Sequence, residues 1–199
     1  MKSSLLITTL IATHTLTLIC HATEIAQKQQ ISKQSATYDL LDTQGKTTAS
    51  NARCASFFTS GLTWELKTDD GGIHDKDNKY RWGGTGAEQT GTLFFDDWNA
   101  LLLNSNSKKL CGFDDWRVPS IDELKTLIMN TDKKPVIDSV IFPLTLGEPY
   151  WSVSTYQYYP EHAQTVDFST GSSHYYNGFR GDRLSVRLVR GKMLGDNQK

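Results

Sequence analysis

The chain carries almost no net charge. Its 21 Lys and Arg face 22 Asp and Glu, a formal net of -1. That balance argues against a general attraction to nucleic acid, which needs a basic footprint. Cysteine is scarce, three residues in 199, and none sits in a CxxC pair. A four-ligand zinc site or a redox dithiol is therefore weakly supported. Histidine is sparse too, and His74, His162 and His174 stand far apart. No internal repeat is visible, and no collagen-like Gly-X-Y run occurs. Beyond the N-terminus no segment reaches the roughly 20 apolar residues that a membrane-spanning helix needs.

The one long apolar run is Leu5 to Ile19, behind Met1-Lys2 and broken only by Ser/Thr, Ala and His14. Its length suits the core of a signal peptide, and Cys20-His21-Ala22 supplies a cleavage site with a small last residue. Residues 1–22 are read as a cleaved signal. A lipoprotein would need Cys20 as its new N-terminus, which the bulky Ile19 disfavours; an uncleaved anchor is the other alternative. The expected location is the periplasm or outside the cell, with no transmembrane segment in the mature chain. Loss of Lys2 moves the net charge from -1 to -2. About 175 mature residues make one domain plus a tail or linker. Removing Cys20 leaves Cys54 and Cys111 as an even pair in an oxidising compartment, which predicts a disulfide.

Residues 23–50, rich in Gln, Ser, Thr and Lys, read as a polar lead-in with one short strand near Tyr38–Leu41. Residues 51–191 read as the domain and 192–199 as a polar tail. Leu62 to Leu66 alternates apolar and polar side chains, as a half-buried strand does. A helix is predicted from Leu93 to about Asn104, with Phe94, Trp98, Leu101 and Leu102 on one stripe. A second helix starts at Ser120, where Ser120 and Glu123 form a capping box; Ile121, Leu124, Leu127 and Ile128 supply its apolar face. Tyr150–Ser154, Gln164–Phe168, Ser172–Tyr176 and Leu184–Val189 read as strands, with turns at Thr170-Gly171 and Asn177-Gly178. The pattern is α+β. The five tryptophans read as core, because burying such large side chains is strongly favourable.

Several blocks occur in a distinctive order. They are Gly61-Leu62-Thr63-Trp64-Glu65, the run Lys67 to Asp77, Cys111-Gly112-Phe113-Asp114-Asp115-Trp116-Arg117-Val118-Pro119-Ser120, Tyr150-Trp151-Ser152, and Val186-Arg187-Leu188-Val189-Arg190-Gly191. Together, over roughly residues 54 to 191, they resemble the Lcl C-terminal domain family, named from a bacterial collagen-like adhesin. The Asp-Trp-Arg-Val-Pro-Ser block with its capped helix is the most specific of them. The resemblance implies a C-type-lectin-like α+β fold, two helices beside a small twisted antiparallel sheet with long loops. It also implies export from bacteria and, in the adhesin, binding of sulfated polysaccharides by a trimer. The missing collagen-like region puts trimerisation and that ligand in doubt here, although a homo-oligomer stays open. The fold also resembles formylglycine-generating enzymes and their iron-dependent relatives. Those need a reactive cysteine pair or a His-x3-His-x-Glu set; the two mature cysteines are better used structurally, and His74, His162 and His174 show no such spacing. The Glu-Pro-Asn and Trp-Asn-Asp motifs of calcium-dependent lectins are missing as well. The expectation is a binding domain, not an enzyme.

Two constellations remain. Asp69, Asp70, Asp75 and Asp77 crowd one loop, and calcium takes roughly six to eight oxygen ligands from such loops. Lys79 and Tyr80 break the EF-hand spacing, so a solvated turn is the main expectation and calcium the lesser one. The second lies near the C-terminal end. Tyr156, Tyr158, Tyr159 and His162 fall in one loop, and His174, Tyr176, Phe179, Arg180 and Arg183 in the next hairpin. Tyrosine gives a large rigid contact with a polar tip, and arginine suits sulfate, phosphate or carboxylate. Tyr156, Tyr158, Tyr159, His174, Tyr176, Arg180 and Arg183 form the candidate ligand site. The expected ligand is an acidic or sulfated glycan, and the alternative is a protein partner of the envelope.

Overall fold

The computed structural model describes residues 19, 23, 25, 37–84, 97–174 and 178–193. Nine strands and two α-helices are found among them. The strands are β1 (Tyr38–Leu41), β2 (Cys54–Phe57), β3 (Thr63–Glu65), β4 (Lys79–Tyr80), β5 (Pro149–Thr155), β6 (Ala163–Asp167), β7 (Ser172–His174), β8 (Leu184–Ser185) and β9 (Val189–Arg190). The helices are α1 (Asn99–Ser107) and α2 (Ile121–Lys125). The class is α+β as expected, but the strands form two sheets. One has the order β1-β2-β3-β9, the other β4-β8-β5-β6-β7. The second is mixed, because β8 runs parallel to β5 through Tyr150 and Ser185. No described helix is long and apolar enough to cross a membrane.

The segment read as polar lead-in contributes to the fold from β1 onward. After β1 the chain turns through Gly45, where φ is +80° and a Cβ would sit 2.4 Å from the Cys111 carbonyl. Only glycine permits that approach. It seats the turn on the disulfide, in which Cys54 and Cys111, both fully buried, are joined as predicted.

The helices differ from expectation in length. At α1 the Asp97 carboxylate accepts the Asn99 amide at 2.7 Å. This local bond occupies the place of a cap and starts the helix after Trp98. Phe94 and the predicted first turn lie outside the described residues. At α2 both capping-box bonds are present, Glu123 amide to Ser120 Oγ at 3.2 Å and Ser120 amide to Glu123 Oε2 at 2.9 Å. The helix closes early because the Thr126 hydroxyl takes the Glu123 carbonyl at 2.6 Å. Leu127 stays buried beyond its end.

All five tryptophans are buried. Trp98 meets Trp82 and Trp151 edge-on at 5.4 and 6.4 Å, pairs that contribute about 0.5–1.5 kcal/mol each beyond burial. Trp82 and Trp151 donate their indole N–H to the Ser152 and Tyr80 carbonyls. The Asp-Trp-Arg-Val-Pro-Ser block works as a latch. Arg117 grips Glu123 with two bonds of 2.7 and 2.6 Å and also donates to the Gly191 carbonyl. Asp115 pairs with Arg190, whose guanidinium lies over Phe113.

β3 departs most from its pattern. Thr63, Trp64 and Glu65 are all buried, so the strand is covered on both faces. Glu65 Oε1 accepts from Lys67 Nζ at 3.1 Å and lies 2.8 Å from His74 Nδ1, while Oε2 accepts the Leu188 amide at 2.8 Å. Burial alone raises a carboxyl pKa; here Lys67, His74 and the Leu188 amide outweigh it and hold Glu65 down at about 2. The predicted strand Leu184–Val189 is divided by this site. Its first part joins β5 and its last part joins β3, and between them Arg187 turns inward onto the Glu65 carbonyl.

Two outcomes follow. Replacing Cys54 and Cys111 together by alanine should lower unfolding free energy by about 4 kcal/mol, as chain-entropy arithmetic gives for this loop, measured by urea titration. Glu65 has a folded pKa below its ordinary 4.5. Its stabilisation is therefore full above pH 4.5 and fades as pH falls toward 2, by about 3 kcal/mol. Glu65→Gln should unfold more easily at pH 7, because Lys67 loses its counter-charge, and should show a flatter acid dependence.

Candidate functional site

The β5–β6 hairpin is bonded close to its tip. The Tyr156 amide donates to the His162 carbonyl and the His162 amide to the Tyr159 carbonyl. Pro160 punctuates the turn between them. The 178–183 segment then docks on the hairpin's outer strand by main-chain bonds. Ala163 N–H reaches the Gly178 carbonyl at 2.8 Å, and Arg180 N–H reaches the Glu161 carbonyl at 2.9 Å. These bonds carry Phe179 to His162, with ring centroids 5.8 Å apart. Gly181 lets the Phe179 ring lie close, since a Cβ there would stand 2.6 Å from it.

The result is a row of rings. Tyr158 and Tyr159 flank Tyr156 at 5.7 and 5.9 Å, Tyr159 meets His162 at 6.0 Å, and Phe179 ends the row. Tyr158, Tyr159 and Phe179 are 70, 47 and 44 % exposed. Tyr156 and Tyr159 are stacked and the other three contacts are edge-on, so the rings form a small cluster of their own that is open to water. The predicted loop tyrosines are thus brought together. Phe179 and His162 join them.

The predicted arginines separate. Arg183 is exposed. Arg180 is 97 % buried, with its guanidinium 3.9 Å above the Trp82 ring. Burial lowers its pKa. Stacking on a tryptophan is favourable for a planar guanidinium, so Arg180 holds the loop down and does not face a surface ligand. His174 pairs with Thr165 in β7 through the backbone. Tyr176 lies outside the described residues.

The acidic loop is organised by its own backbone. Asp69, Asp75 and Asp77 bring carboxylate oxygens within 4.8 Å of one another; Asp70 is not in that group. Asp75 Oδ2 accepts the Asp70 and Gly71 amides and Oδ1 the Asp77 amide, at 2.7–2.9 Å. Those amides, above all that of Asp77, lower its pKa. Asp70 accepts from the Gly72 amide and the Thr68 hydroxyl. Lys76 Nζ bridges Asp69 and Asp77 at 2.9 and 2.6 Å. An ammonium already stands where calcium would need bare oxygens, so the turn reading fits better than the calcium reading.

The pattern reading passed over Glu65, Lys67 and Arg187. A signal was present: residues two apart on a strand share a face, so Glu65 and Lys67 could pair within the protein.

A family model described as the Lcl C-terminal domain matches residues 58–190. No curated protein and no solved structure matches the chain.

Asp75→Ala should cost about 1–3 kcal/mol, because three loop amides lose their acceptor. Millimolar calcium should leave the wild-type melting temperature unchanged. Differential scanning fluorimetry with calcium and with a chelator checks both expectations.

Proposed function

The chain belongs to the Lcl C-terminal domain family, and we propose that it is an exported, adhesin-like recognition domain that binds anionic or carbohydrate surfaces. The observation that carries this reading is the exposed row Tyr158–Tyr156–Tyr159–His162–Phe179. The apolar face of a sugar ring packs on an aromatic face, and the exposed rings of Tyr158, Tyr159 and Phe179 offer such contacts. The exposed Arg183, four residues beyond Phe179, adds a cation suited to sulfate or carboxylate groups. The buried disulfide supports export, because such bonds persist in oxidising compartments. It also supports binding over catalysis. Cys54 and Cys111 are bonded to each other, so neither is available as the thiol that formylglycine-generating enzymes use.

A glycan array containing sulfated and uronic-acid polymers, run with and without a chelator, tests the reading. Binding should appear on acidic glycans, weaken as salt rises from low to high, and persist in chelator. Tyr158→Ala combined with Tyr159→Ala should weaken it about 10-fold or more, from the usual worth of two aromatic contacts, while circular dichroism still reports the folded domain. Cross-linking to one envelope protein with a silent array would replace the glycan by a protein partner. Affinity insensitive to the double substitution would remove the aromatic row from the site.

A further inference from the structure

A concavity is lined by none of the residues of the aromatic row. It is an open cavity of about 310 Å³ between β1, the 49–52 turn and the 140–144 loop, at the small end of ligand sites. Leu40, Leu66, Ile141, Phe142 and Leu144 give it apolar walls, and Lys67 and Arg187 also line it. Val140, in the same lining, is 77 % exposed.

The charges in its lining do not balance. The Lys67 and Arg187 side chains are both almost wholly buried. Arg187 donates to the Glu65 carbonyl and to Thr145 Oγ1, each at 2.7 Å, and lies 4.8 Å from the Phe142 ring. Its Nε is buried without a hydrogen-bond partner. Lys67 bonds the Glu65 carboxylate at 3.1 Å, and an ammonium carries three donors. One carboxylate, Glu65, thus serves two fixed cations, and the groups bonded to Arg187 are neutral. A buried charge in surplus is costly unless an opposite charge meets it. Aromatic faces offset only part of that cost. Apolar walls beside a single surplus positive charge select a monoanion with an apolar body, not a sulfated polymer.

We infer that this cavity binds a small aliphatic carboxylate, with its head on Lys67 and Arg187 and its chain along Leu40, Ile141, Phe142 and Leu144. The site is separate from the aromatic row and does not depend on the glycan reading.

Sodium octanoate is the probe, with 1-octanol and octylammonium as neutral and cationic counterparts, in calorimetric titration and thermal shift on the purified protein. Octanoate should raise the melting temperature with dose and bind at least tenfold more tightly than octanol; octylammonium should give no shift. Ser50→Trp, which fills the cavity from an exposed position, should abolish the octanoate response and leave unliganded melting unchanged. Lys67→Met should weaken octanoate at least tenfold if it folds, and Ser50→Trp keeps the test decisive if it does not. Tyr158→Ala with Tyr159→Ala should leave octanoate binding intact. No octanoate response, equal affinity for octanol, or a response that survives Ser50→Trp would overturn the assignment.

Discussion

A single carboxylate, that of Glu65, ties the two ends of the domain together. It sits at the end of β3 with no access to water, and each oxygen is committed. One oxygen gathers Lys67 and His74 from the following loop. The other takes the amide of Leu188, 123 residues away. A charge so placed tolerates no local slippage, because any shift strands it in a medium that cannot solvate it. The C-terminal segment must therefore cross from one sheet to the other at this point.

Around this point the remaining polar contacts act as locators. Arg117 fixes the start of α2 and the end of β9 in one grip, through Glu123 and the Gly191 carbonyl. Asp115 and Arg190 repeat the arrangement nearer the surface. The tryptophans fill the space that these grips define, with Trp98 between Trp82 and Trp151. Specific ion pairs set the register, and non-specific apolar burial supplies most of the driving force.

Much of this was legible from residue order. The disulfide followed from counting cysteines, the capping box from Ser120 and Glu123, the tryptophan core from size, and the strands over 150–174 from candidate runs with a turn at Thr170-Gly171. Three features were not. Alternation in Leu62–Leu66 looks the same whether the polar face meets water or a buried partner, so Glu65 was hidden. Strand pattern does not reveal a change of sheet, so Leu184–Val189 read as one strand. Arg180 lies among exposed loop residues in sequence, and nothing local shows that Trp82 waits 98 positions earlier to receive it. The tyrosine cluster was legible as a loop composition; the long-range docking of Phe179 onto His162 was not.

The hairpin tip and the 178–183 segment are fastened by amides and carbonyls, with Arg180 as a buried side-chain anchor. Main-chain fastening is indifferent to which side chains point outward. Tyr158, Tyr159 and Phe179 can therefore be exchanged over evolutionary time with little penalty to folding. A scaffold fastened in this way leaves its outer face open to change while its interior stays fixed.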